Sequence, residues 1–157
     1  MEKQNKIYVD TSVLNFAFEL SRVDRIFTNE FLKLFKDHIL YKSYISDLTI
    51  TEINQAYDLR KRQLLKLVED LNPEILLTSQ KALDLSKVYI SQNLIPEKYE
   101  NDALHISCAT TNNCDFIVSW NFKHMVRAKV IQGIHIINNK SGYNLVEIVS
   151  PREFLGK

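Results

Sequence analysis

Three acids stand where a chain of this kind could use them together. Asp10 follows the apolar run KIYV at residues 6–9, and Glu52 follows KSYIS at 42–46, just inside a helical segment. Asp102 opens the helical segment that leads into DFIVS at 115–119. In parallel α/β sheets, ligands collect outside the carboxyl ends of strands. Carboxylates brought to one such edge repel, and each is pushed toward its protonated form. A divalent cation removes that cost, and hard oxygen donors with room for water suit Mg2+ or Mn2+. A site of that kind activates water for phosphodiester cleavage.

Each acid also has a structural explanation. Asp10 and Asp102 suit helix N-caps, whose side chains accept hydrogen bonds from free backbone amides. Glu52 stands three residues after Thr49 in TITE, the spacing of a capping box. What favours the shared site is that all three fall at ends facing the same edge.

The elements that must position them follow from hydrophobic periodicity. KIYV and KSYIS read as buried strands, with Thr11 and Ser12 opening a helix to about Phe18. Phe27, Phe31, Leu34 and Phe35 keep the spacing of one buried stripe and predict an amphipathic helix. A helix begins near Asp47 to Thr49, with Asp47 as a cap, and the segment to Leu71 is mostly helical until Pro73 stops it. EILLT at 74–78 reads as extended, and Ala82, Leu85, Val88 and Tyr89 mark another helix. Residues 93–99 form a loop around Pro96, and Asn112-Asn113 end the helix begun at Asp102. DFIVS, GIHII at 133–137 and LVEIV at 145–149 are strand candidates, with Asp115 capping the first. Such alternation predicts an α/β fold with a mainly parallel central sheet covered by helices. Nothing marks a boundary, so residues 1–157 are read as one domain.

Composition narrows the function. The 157 residues carry only Gly133, Gly142 and Gly156, and none of these clusters. A P-loop or a dinucleotide-binding turn needs glycines where backbone amides approach phosphate, so neither is expected. The N-terminus lacks the pattern of a signal peptide, and no apolar run reaches the ~18 residues of a membrane span. Cys108 and Cys114 form no CxxC pair and read as reduced thiols, so a cytoplasmic protein is expected. The net charge is +1, but from Phe116 to Val146 there is no Asp or Glu, while Lys123, Arg127, Lys129 and Lys140 all fall there. Arg60, Lys61, Arg62 and Lys66 make a second basic cluster. Each patch reads either as a phosphate-binding surface or as a solvated face.

YVDTSVLN (8–15), SDLTITEI (46–53), NDALHISCAT (101–110) and FIVSWNFKHMV (116–126) resemble, in order, the four motifs of PIN-domain proteins. That family includes the VapC-like toxins of bacterial and archaeal toxin–antitoxin pairs, and SWNFKH is similar to a variant found in a subset of it. The resemblance implies a three-layer α/β/α fold and divalent-metal-dependent cleavage of RNA. It also implies an antitoxin partner and a homodimer. It makes Asp10, Glu52 and Asp102 the first, second and third catalytic acids and metal ligands. Ser12 takes the place of the hydroxyl residue after the first acid, and Ser119 stands where the family often has Thr. Asn121 occupies the place of a fourth acid, commonly Asp. An amide there offers a carbonyl oxygen but no charge.

Around these motifs, His105 lies three residues beyond Asp102 and suits either the site or the helix packing. Lys123 and His124 read as substrate-phosphate contacts or as an exposed loop, and Trp120 reads as a packing residue. Two other functions compete. One is a catalytically weak PIN fold that binds RNA or protein, motivated by Asn121. The other is an Asp10-dependent phosphotransferase, disfavoured because Ser12 stands where a second acid would be needed.

Overall fold

Five short strands position everything else in the computed structural model, which describes residues 3–20 and 22–157. They are β1 (Asn5–Val9), β2 (Tyr41–Ser46), β3 (Glu74–Leu76), β4 (Phe116–Val118) and β5 (Glu147–Val149). They pair in the order β3-β2-β1-β4-β5, and every pairing is parallel. Parallel neighbours need crossover connections, and helices supply them. The first crossover is α1 (Thr11–Phe16) with α2 (Asp24–Lys33), and the second is α3 (Asp47–Asn54) with α4 (Asp58–Leu71). Between β3 and β4 run α5 (Gln80–Ser91), a 3-10 turn (Glu97–Tyr99) and α6 (Glu100–Thr111). The last crossover is α7 (Ala128–Lys140), and α8 (Pro151–Phe154) follows β5.

Strand alternation sorts the core into two layers, one on each face of the sheet. Ile7, Val9, Ile45 and Val118 pack with Leu14, Phe31, Ile53 and Leu64 from α1 to α4. Tyr8, Tyr44, Ile117 and Ile148 pack with Leu85, Ile106 and Ile134 from α5 to α7. Because β1 is paired on both edges and covered on both faces, Ile7, Tyr8 and Val9 are completely buried. Burying side chains of this size contributes roughly 1.5–3 kcal/mol each. The expected three-layer α/β/α arrangement with a parallel sheet is the one found.

Several local expectations change. GIHII is helical rather than extended: it lies inside α7, where Val130, Ile134 and Asn138 are buried at intervals of four. A five-residue apolar run fits a buried helix as well as a strand, and periodicity cannot separate them. Gly133 on this helix meets the residue 93–96 loop so closely that an added Cβ would lie 2.3 Å from Leu94 Cδ2. The helix carrying Phe27 and Phe31 ends at Lys33, and Phe35 is buried from the turn beyond it. The long helix expected up to Leu71 is broken at residues 55–57 into α3 and α4. The strand expected at 145–149 pairs only over Glu147–Val149. Among the described residues, no helix is long and apolar enough to cross a membrane.

Candidate active site

The sheet order places β1 at the centre, with the chain proceeding to one side through β2 and β3 and to the other through β4 and β5. The reversal opens a crevice outside the carboxyl ends of β1 and β4, the place where open α/β sheets bind ligands. Asp10 is the first residue after β1 and Ser119 the first after β4, and Asp10 N–H donates to Val118 O at 3.0 Å.

Asp10 is 5% exposed and occupies the N-cap position of α1. Among the described residues its carboxylate caps no amide of α1. Its Oδ2 instead accepts hydrogen bonds from Ser12 Oγ at 2.6 Å and Ser119 Oγ at 2.8 Å. Both hydroxyls are themselves anchored: Trp120 N–H donates to Ser12 Oγ (3.0 Å), and Asn121 N–H donates to Ser119 Oγ (2.9 Å). The ends of β1 and β4 are thereby tied through one carboxylate oxygen.

Asp102 does not open its helix. It is the third residue of α6, after Glu100 and Asn101, and its Oδ2 is 2.9 Å from His124 Nδ1. Burial raises its pKa, and so does the negative charge of Asp10, while the His124 and Asn121 side chains oppose the rise. Asn121 Oδ1 accepts the backbone N–H of Lys123 (3.2 Å) and of His124 (2.9 Å). The Asn121 amide thus folds the SWNFKH turn, and its carbonyl oxygen points into that turn. His124 is buried rather than exposed, with its ring 4.1 Å from that of Tyr99.

Glu52 lies in the sixth position of α3, one turn beyond the helix start. The capping box of that helix is formed by Ser46 and Thr49, not by Thr49 and Glu52, because the helix begins at Asp47. Asp47 spends its carboxylate on Leu48 N–H and on Thr78, whose Oγ1 is 2.7 Å away. Freed from capping, Glu52 reaches His105, whose Nε2 bonds Glu52 Oε1. His105 is therefore both buried in the helix packing and in contact with the second acid. Its burial disfavours the cation, yet the Glu52 bond and the charges of Asp10, Glu52 and Asp102 raise its pKa.

The remaining expectations sort cleanly. Trp120 is a packing residue, 6% exposed, stacked on Phe16 and bonded from Nε1 to Thr28 Oγ1 at 2.8 Å. Asp115 holds the start of the sheet through Lys6 N–H (2.8 Å) and Lys3 (3.2 Å). In the second basic cluster, Arg60 pairs with Glu19 at 3.2 Å and Lys66 with Asp70 at 3.1 Å. Lys123 instead lines a cavity of about 300 Å³ beside His124, together with Arg127 and Lys129. A larger cavity of about 490 Å³, lined by Leu32, Phe35, Leu67 and Leu71, lies between α2 and α4 and contains none of the three acids. The contacts that sequence reasoning missed are those of Tyr8, Tyr99 and His124. The only available signal was that strand alternation turns Tyr8 toward the layer that holds His105.

Whether a cation fits depends on the donors. Among the described residues no group of three His, Cys, Asp or Glu stands close enough to hold an ion as arranged. The donor chemistry nevertheless suits one. The pKa of Asp102 is raised by burial and, less strongly, by the charge of Asp10. All three acids also act on His105. Carboxylate oxygens are the donors that suit a hard divalent cation.

A PIN domain family model matches residues 7–124, and the chain belongs to the PIN domain family. Solved structures share its fold. VapBC2 from Rickettsia felis, bound to a DNA fragment from its promoter, aligns at TM-score 0.59 and 15% identity, covering 92% of this chain and 98% of that one. DNA-bound VapBC from Salmonella typhimurium aligns at 0.59 and 16%, covering 94% and 99%. VapBC-5 from Mycobacterium tuberculosis, of the VapBC family of toxin–antitoxin systems, aligns at 0.51 and 14%, covering 92% and 98%. No curated protein matches the chain in sequence.

Proposed function

We propose that the chain is a divalent-metal-dependent endoribonuclease and the toxin of a toxin–antitoxin pair. The observation that carries this reading is Asp10, held at the switch point between β1 and β4 by Ser12 and Ser119 in a PIN-family chain. Asp10, Glu52 and Asp102 would hold Mg2+ or Mn2+. When bound, the ion supplies positive charge at a backbone phosphate and lowers the pKa of an attacking water. Ser12 and Ser119 aim Asp10 through the two bonds to Oδ2. His124 holds Asp102 toward the crevice, and Asn121 shapes the turn that presents both His124 and Lys123. Lys123 meets RNA phosphates that the acids alone would repel, helped by Arg127 and Lys129 across the adjoining cavity. Hydrolysis of this kind needs no covalent enzyme intermediate.

The whole chain is read as one such domain, since β5 and α8 complete the sheet and the core beyond residue 124. Likeness to the VapBC structures supports an antitoxin partner; a homodimer is proposed beside it, and exposed Leu20, Val23, Ile26 and Leu59 offer apolar surface for either. An RNA substrate and two free thiols go with a cytoplasmic location.

The test is cleavage of mixed RNAs by purified protein with Mn2+ or Mg2+, beside a chelator control and the Asp10→Asn and Asp102→Asn variants. Cleavage is expected to need the metal and both acids; equal cleavage by the variants would overturn the reading. A second reading, an RNA- or protein-binding PIN fold that does not cut, is favoured by the turn-directed Asn121 carbonyl. An inert wild type that gains activity on Asn121→Asp would support it.

A further inference from the structure

His105 is 1% exposed and comes from α6, in the layer that covers one face of the sheet. Glu52 comes from α3, whose Ile53 belongs to the opposite layer. Their hydrogen bond therefore crosses the end of the sheet, and it joins a buried imidazole to a carboxylate with 31% of its side chain exposed. A histidine needed only for packing would be satisfied inside its own layer. This one draws in an acid from across the sheet.

Behind the imidazole runs an ordered chain of donors. His105 Nδ1 is 2.6 Å from Tyr8 Oη, and Tyr8 Oη is 2.8 Å from Ser46 Oγ. Ser46 is in turn fixed by its capping box with Thr49, whose Oγ1 accepts Ser46 N–H at 3.2 Å. An ionised carboxylate only accepts, so a neutral His105 ring donates to Glu52 from Nε2 and leaves Nδ1 to accept from Tyr8 Oη. Tyr8 Oη can in turn accept from Ser46 Oγ. All members are buried except the final carboxylate, and each link polarises the next.

We infer that His105 is a positioning residue for Glu52, its ring held from behind by the Tyr8–Ser46 hydroxyl pair so that one Glu52 oxygen is held and the other is presented to the crevice. The inference rests on the proposed reading of Glu52 as a metal ligand. Partners that orient ligating carboxylates typically change metal affinity by about 10–100-fold when removed. Ser46 thus serves two ends of one helix: it caps α3 and, through Tyr8 and His105, fixes the acid one turn further along it.

The experiment uses the full chain with His105→Ala, His105→Gln and Tyr8→Phe. Nitrogen NMR of metal-free wild type, at a pH where the ring is neutral, should place the His105 proton on Nε2, and Tyr8→Phe should loosen the ring and lower Mn2+ affinity less than His105→Ala does. Mn2+ titration followed by electron paramagnetic resonance should show affinity lost about 10–100-fold in His105→Ala and largely recovered in His105→Gln, whose amide can donate from a similar place. RNA KM should move little. A proton found on Nδ1 in wild type would overturn the inference, as would Mn2+ affinity unchanged in a folded His105→Ala protein. So would a folded Gln variant as weak as Ala. If wild type binds no Mn2+, the nuclease reading fails by itself; the tautomer and the Glu52 rotamer in a His105→Ala crystal structure then decide this inference alone.

Discussion

His124 Nδ1 lies 2.9 Å from Asp102 Oδ2, while the backbone N–H of the same histidine lies 2.9 Å from Asn121 Oδ1. One residue thus couples Asp102 to the turn that Asn121 folds. Removing the ring leaves the turn and deletes the partner that opposes the raised pKa of Asp102. His124→Ala is expected to lower Mn2+ affinity about 10–100-fold, as for other supports of ligating carboxylates. Lys123→Ala should leave Mn2+ affinity alone and raise KM for RNA, with a shallower salt dependence. Calorimetric titration of the two variants beside their cleavage kinetics checks the split.

Asp10→Asn should separate stability from activity. The amide oxygen still accepts from Ser12 and Ser119, while the charge that raises the pKa of Asp102 is gone. Without metal the variant is expected to be more stable than wild type by roughly 1 kcal/mol, the usual gain when a functional site is relaxed. Added Mn2+ should raise the Tm of wild type and leave that of the variant unmoved. A variant less stable than wild type in chelator would contradict this expectation.

Ser119 is completely buried, donates to Asp10 and accepts from Asn121 N–H. Ser119→Ala leaves a buried amide and a carboxylate oxygen each short of a partner, a loss of about 1–3 kcal/mol. Urea denaturation should show a lower midpoint with an unchanged m-value, together with reduced cleavage. Stability equal to wild type would mean that water replaces the hydroxyl.

Cys114 supplies a pH test away from the acids. Burial pushes its thiol from the ordinary 9.0 to about 12, against the partial relief from Lys6. Because the folded state resists losing this proton, its contribution to stability is full below the unfolded pKa. It is lost as pH rises from about 9 toward about 12. Native protein at neutral pH should therefore resist thiol reagents at Cys114, and react there only as it unfolds. Cys114→Ala should flatten the alkaline loss of stability.

Strands β1 and β2 and the apolar run at β4 were legible because their apolar runs are short, rich in Ile, Val and Tyr, and end at polar residues that stop the pattern. The α7 segment was not legible, since GIHII satisfies both a strand and one side of a helix until its neighbours are packed against Leu94. The three acids were readable as residues facing one edge, but their partners were not. Glu52 looked like half of a capping box because TITE has the right spacing; the helix start at Asp47 gave that role to Ser46 and Thr49. Likewise, nothing in the spacing of Tyr8, His105 and Glu52 reveals that they meet, because tertiary packing alone brings residues 8, 52 and 105 together.

The bond from Ser119 to Asp10 spans 109 positions of the chain, and β1 has no partner on its second edge until β4 exists. At the ~5–20 residues per second of protein synthesis, the first acid emerges roughly 5–22 s before the residue that fixes it. The crevice therefore cannot be complete before β4 and Ser119 have been made. For a protein proposed to cut RNA, the order of translation imposes a delay on its own, during which a co-expressed partner can meet a nascent chain that is still harmless.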